Sequence, residues 1–141
     1  MLKQTLFAAS LLLAFVSTGR CEPPCTATTI SRIEAERLVM SVADAVTARK
    51  IGGQLSVVEW KPEHASDVFY YFMLLSTVSA PSTPLDNGML GYFSVNKITG
   101  RVVDVAGGDA VGVELERLQA TLRAKHCIDE KMIATGKNVE P

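Results

Sequence analysis

Val68-Phe69-Tyr70-Tyr71-Phe72-Met73-Leu74-Leu75-Ser76-Thr77-Val78 is the stretch on which the fold turns. It has no polar side chain apart from the tyrosine hydroxyls until Ser76, so it fits either a buried helix or a strand covered on both faces. Its aromatic and branched residues favour the strand. So do its flanks, since Lys61-Pro62-Glu63-His64 reads as a turn before it and Ser79–Gly88 is the most loop-like segment of the chain. A long central strand therefore needs partners on either side.

Both partners can be read from neighbouring segments. Upstream, Leu55, Val57 and Glu59 alternate with Ser56, Val58 and Trp60, the period-2 pattern of a strand. Downstream, Met89–Val95 resumes the strand pattern, Asn96-Lys97-Ile98-Thr99-Gly100 reverses the chain, and Arg101–Val105 returns. Asn96 suits the opening of a type I turn, and Gly100 suits its left-handed position. Helical signals lie outside these strands. Ser31-Arg32-Ile33-Glu34 is a capping box, followed by Ala35, Leu38, Val39, Val42, Ala45 and Val46 on one face, with Gly52-Gly53 as the stop. After Gly107-Gly108-Asp109, Val111, Leu115, Leu118 and Leu122 form a second stripe. The polar tail after residue 128 is expected to fray. The predicted fold is α+β: an N-terminal helix, a four-stranded antiparallel meander and a C-terminal helix, with the helices on one sheet face.

The first nineteen residues read as a signal peptide. Lys3 gives a charged start, Leu6–Val16 is apolar apart from Ser10, and Ser17 and Gly19 supply small residues before a cleavage point. Eleven apolar residues rise only about 16 Å as a helix, short of a hydrocarbon core of roughly 30 Å. Lipidation of Cys21 fits poorly, because Arg20 precedes it and Thr18 stands where such signals carry leucine. Residues 20–141 then form one domain in the periplasm or outside the cell, with no stable membrane insertion once the leader is gone.

Export gives the three cysteines their meaning. Cys21, Cys25 and Cys127 allow the pairings 21–25, 21–127 and 25–127, and only one bridge can form within the chain. The expected bridge is Cys25–Cys127, which would tie the start of the domain to the end of its last helix. No convincing fourth ligand supports a metal site, and the absence of C-x-x-C argues against redox catalysis.

The chain has 141 residues, with 14 Lys+Arg against 15 Asp+Glu, and loss of Lys3 makes the balance one unit more negative. That balance lacks the basic surplus on which nucleic-acid binding rests. A nucleophile elbow, a P-loop and H-E-x-x-H are all missing, and the chain has only two histidines. His64 reads as a solvated turn residue. His126 reads as a cation placed at a helix C-terminus. Neither a cofactor nor a metal is expected. A carboxylate pair, Glu59 and Asp104, could serve a small hydrolase or isomerase if the strands brought them together in a cleft. Otherwise they are solvent-facing positions of a half-covered sheet. Trp60, Tyr70, Tyr71 and Tyr92 would form a recognition platform if exposed, and core if not.

The segment Gly91-Tyr92-Phe93-Ser94-Val95-Asn96-Lys97-Ile98-Thr99-Gly100-Arg101-Val102-Val103-Asp104 is similar to the PepSY-type hairpin. The element order also resembles small exported cystatin-like bacterial proteins. These resemblances imply a binding domain without catalysis, in the manner of inhibitors of secreted enzymes or immunity proteins that neutralise toxins in the bacterial envelope. The partner would be another protein, touched by Pro81, Pro84, Asp86 and Asn87 of the long loop and by Trp60 and Tyr92. A structural or ligand-sensing envelope module is the remaining reading, expected to hold an apolar cavity inside the sheet.

Overall fold

The computed structural model describes residues 25–78 and 88–136. The segment 1–19 expected to be a signal peptide, Cys21, and the loop positions Pro81, Pro84, Asp86 and Asn87 lie outside the described residues. Within them the chain runs α1 (Arg32–Val39), α2 (Ala43–Lys50), β1 (Leu55–Glu59), β2 (Phe69–Ser76), β3 (Met89–Asn96), β4 (Val102–Asp104), β5 (Gly108–Asp109), α3 (Val113–Lys125) and α4 (Glu130–Gly136). The five strands form one antiparallel sheet in the order β1-β2-β3-β4-β5. The meander and its flanking helices match the α+β expectation, with three additions.

The first is a break in the N-terminal helix, which the sequence presents as one periodic run. At Met40–Val42 the backbone switches to shorter bonds, Ser41 N to Leu38 O at 3.0 Å and Val42 N to Val39 O at 3.4 Å. Ala43 N donates to Val111 O at 2.9 Å instead of continuing the helical ladder. The chain before α3 thus inserts its own backbone at the break. Gly112 permits that approach, because a Cβ there would lie 3.0 Å from Ala43 N and 3.1 Å from Ser41 O. Apolar periodicity survives the break: Ala35, Leu38, Val39, Val42, Ala45 and Ala48 are all buried. No local pattern marks it.

The second addition is β5, a two-residue strand that extends the meander past β4. The third is α4, which occupies the start of the tail expected to fray. Asp129 caps it, its Oδ1 accepting from Met132 N at 2.8 Å and its carbonyl from Ile133 N at 3.1 Å, while Met132 and Ile133 pack on the core.

The turn between β3 and β4 follows the chemistry of its residues. Asn96 Oδ1 accepts from the amides of Ile98 and Thr99, both at 2.9 Å, and Gly100 N closes the turn on Asn96 O. Gly100 has φ +68°, and a Cβ there would lie 2.6 Å from Ile30 Cδ1, so both conformation and space require glycine.

Pairing fixes what each sheet face carries. Leu55, Val57, Tyr70, Phe72, Leu74, Phe93, Val95 and Val102 face the helices. There they build the core with Ile30, Leu38, Leu115 and Leu122. Removing a side chain such as Phe72 from water contributes about 1.5–3 kcal/mol, so this layer holds the domain together. Val58, Trp60, Phe69, Tyr71, Met73, Tyr92, Val103 and Val105 fall on the other face.

Candidate functional site

The face away from the helices carries an aromatic cluster. Trp60 follows β1 directly, and its amide bonds to Tyr71 O at 3.0 Å, which sets it beside Tyr71 on that face. Its indole meets the Tyr92 ring at 4.8 Å between centroids and the Tyr71 ring edge-on at 6.2 Å and 85°. Phe69 extends the cluster, 6.2 Å from Tyr71. Tyr92 belongs to β3, so the indole reaches across β2.

A loop partly covers this face. Residues 60–68 curl back over β2, where Ser66 N donates to the Tyr71 hydroxyl at 2.9 Å and Phe69 N bonds to Ser66 O at 3.2 Å. Phe69 and Tyr71 are buried, Trp60 and Tyr92 half-buried, and Val58 and Val105 are exposed at 42% and 52%. Apolar surface on a rigid sheet, rimmed by a polar loop, has the composition of an interface core. The sequence candidates Trp60 and Tyr92 come together here with Tyr71. Tyr70 alone of the four faces the helices: its hydroxyl donates to Ile30 O at 3.3 Å, with Lys97 Nζ 4.7 Å above its ring.

Glu59 and Asp104 do not form a catalytic pair. Register places Glu59 opposite Phe72, Phe72 opposite Phe93, and Phe93 opposite Asp104. The two carboxylates share a row on the helix-facing side, three strand spacings apart, roughly 14 Å. Two phenyl rings stand between them. Glu59 is ion-paired with Arg32 at 3.2 Å, and Asp104 Oδ1 caps its own turn by accepting from Ala106 N at 2.9 Å. Both sit at the margins of the face that the helices cover, where Glu59 is exposed and Asp104 half-buried.

His126 stands at the C-terminus of α3 as expected, but it is buried, only 7% exposed, and holds a distant partner. Its Nε2 lies 2.9 Å from Glu34 Oε2 and its Nδ1 2.6 Å from Thr28 Oγ1. An ionised carboxylate can only accept, so Nε2–H donates to Glu34 and, in the neutral ring, Nδ1 accepts from Thr28. Glu34 also accepts from Lys125 Nζ at 2.6 Å and from the amide and hydroxyl of Ser31, each at 2.8 Å. The sequence showed Glu34 as a capping residue; its second role needs α3 beside α1, a contact no local spacing encodes. Next to this network Cys25 and Cys127 are joined in a disulfide, their Cα atoms 5.8 Å apart.

Burial alone would raise the Glu34 carboxyl, but the Lys125 ammonium, the Ser31 amide and hydroxyl and the His126 ring outweigh it and hold the group well below the carboxylate range. A lowered folded-state value gives stability that is fully present above the unfolded value, about 4.5, and is lost as pH falls below it. Urea melts at stepped acid pH should show the wild type losing stability below about pH 4.5 more steeply than Glu34→Gln. Parallel curves for the two proteins would show that Glu34 contributes nothing to acid sensitivity.

His64 is exposed in the β1–β2 loop. Among the described residues, no group of three or more His, Cys, Asp and Glu could hold a metal, and no helix is long and apolar enough to cross a membrane.

Comparison with known proteins returns a likeness of fold. No family model matches the chain, so the PepSY-type similarity stays confined to the hairpin, and no curated protein matches it. Among solved structures the chain is similar to a chain described under "Structure of a type VI secretion system effector-immunity complex from Pseudomonas protegens". The match has a TM-score of 0.53 at 18% identity and covers 81% of this chain and 91% of the other.

Proposed function

We propose that this protein is an exported, non-catalytic binding domain of the inhibitor or immunity type, which holds a toxin or secreted enzyme against its helix-free sheet face. The observation that carries the reading is the Trp60–Tyr71–Tyr92 cluster, an aromatic surface on a rigid sheet flanked by exposed Val58 and Val105. Aromatic residues on a preorganised scaffold supply contact area at small entropic cost, which is why they dominate binding energy at interfaces. The fold shared with a chain of an effector–immunity complex supports the same reading. So does the separation of Glu59 from Asp104, which removes the one acid–base pair put forward from the sequence.

The proposed contact also includes the loop residues Pro81, Pro84, Asp86 and Asn87, whose segment joins β2 to β3.

Neutralisation tests the proposal directly. Each secreted product encoded beside this gene is expressed in the envelope of a susceptible host, with and without the exported domain. Restored growth against one of them, together with a stoichiometric complex on gel filtration, is the expected result. If none of those products is toxic or bound, the immunity reading fails.

A further inference from the structure

The aromatic face ends in a cleft of about 210 Å³. Trp60, Pro62, Tyr71 and Val105 form its walls, and Glu63 and His64 stand exposed at its rim. Its chemistry is specific. The Trp60 and Tyr71 rings stand at 85° to each other and make an aromatic corner. Pro62 and Val105 add hydrocarbon. Glu63 forms no ion pair among the described residues, whereas Glu59 nearby is held by Arg32. Lys61 lines a separate cleft with Glu59 and Asp67.

These features select one kind of occupant. A carboxylate would be repelled by Glu63. A neutral apolar side chain would use the walls but bury the rim acid without a partner. An ammonium is strongly hydrated and meets a carboxylate only as a point charge. A guanidinium suits both the walls and Glu63: its plane stacks on an aromatic face, its fork pairs with a carboxylate, and its methylene stem lies along apolar walls. Arginine is also enriched at interface hot spots. Resting on the reading of this face as a partner-binding surface, we infer that the cleft receives an arginine side chain of the partner protein, stacked on Trp60 and paired with Glu63.

Trp60 is the single tryptophan of the chain, so its emission reports on this cleft. The probe is N-acetyl-arginine amide, titrated into the purified exported protein at constant ionic strength, with the lysine and leucine amides alongside. A saturable emission change is expected with the arginine amide, a weaker one with lysine and none with leucine. Glu63→Gln, a substitution at an exposed loop position, should weaken the arginine response about tenfold. The inference is overturned if arginine gives no saturable change, if leucine performs as well, or if Glu63→Gln leaves the response intact. Toxin neutralisation separates the two levels. Loss with Trp60→Ala but not with Glu63→Gln defeats the arginine assignment and keeps the partner face; no loss with either variant defeats the face itself.

Discussion

Trp60→Ala should weaken binding of the proposed partner by about 2–4 kcal/mol, roughly thirtyfold to a thousandfold in Kd. The size follows from position. Trp60 touches Tyr92 and Tyr71 at once, so its removal deletes the indole surface and also leaves both neighbours less well oriented. Tyr92→Ala should cost less, because it removes only one end of the cluster. Val113→Ala provides the contrast: Val113 is 75% exposed, but it opens α3 on the side of the molecule away from the aromatic face. Its truncation should change affinity by less than about 0.5 kcal/mol. Calorimetric titration of all three variants against the partner decides the matter. Equal losses for Val113→Ala and Trp60→Ala would place the interface elsewhere. A fold defect is excluded by Trp60→Phe, which keeps an aromatic ring and should recover most of the affinity in a domain of unchanged melting temperature.

The sequence made some of this surface legible and hid the rest, for definite physical reasons. The Asn96–Gly100 turn could be read because its chemistry is local: an Asx side chain and a left-handed glycine need no distant partner. That turn sets the register of β3 on β4. Facing could not be read along β2. Phe69, Tyr71, Met73 and Leu75 alternate with Tyr70, Phe72 and Leu74, and both sets are apolar, so the period-2 signal that normally separates the two faces is absent. The four aromatic candidates therefore stood as one group, although Tyr70 points to the helices and the other three point away. Trp60 meets Tyr92 only because the β1–β2 loop returns the chain in one register rather than the next. The helix break at Met40–Val42 and the Glu34–His126 pair share this origin. Each is imposed by a segment more than sixty residues away along the chain.

Removing the Cys25–Cys127 bridge should cost about 4–5 kcal/mol of stability, since it closes a loop across a sequence separation of 102 residues. For a domain whose total stability falls in the usual range of about 5–15 kcal/mol, such a loss takes about a quarter or more of what there is. The test is a urea melt of Cys25→Ser/Cys127→Ser against the bridged protein, both in a Cys21→Ser background so that no third thiol substitutes for either partner. The melting slope should rise as the midpoint falls, because the unlinked denatured chain is more extended. A loss below about 1 kcal/mol would mean that the bridge does not act through loop entropy. Folded structure should change little. Thr28 N still bonds to His126 O at 3.1 Å, Ile30 N to Lys97 O at 2.7 Å, and the fully buried Ile30 still anchors the N-terminal segment in the core. The Thr28–His126 contact joins the same two stretches of chain as the bridge, so the two devices cannot be independent. With the disulfide in place, the polar contacts of Glu34 and His126 only have to orient segments already held together. Without it, they must also offset the entropy of bringing those segments into contact. Glu34→Gln should then cost more in the unbridged background than in the bridged one, a coupling of about 0.5–3 kcal/mol in a double-mutant cycle.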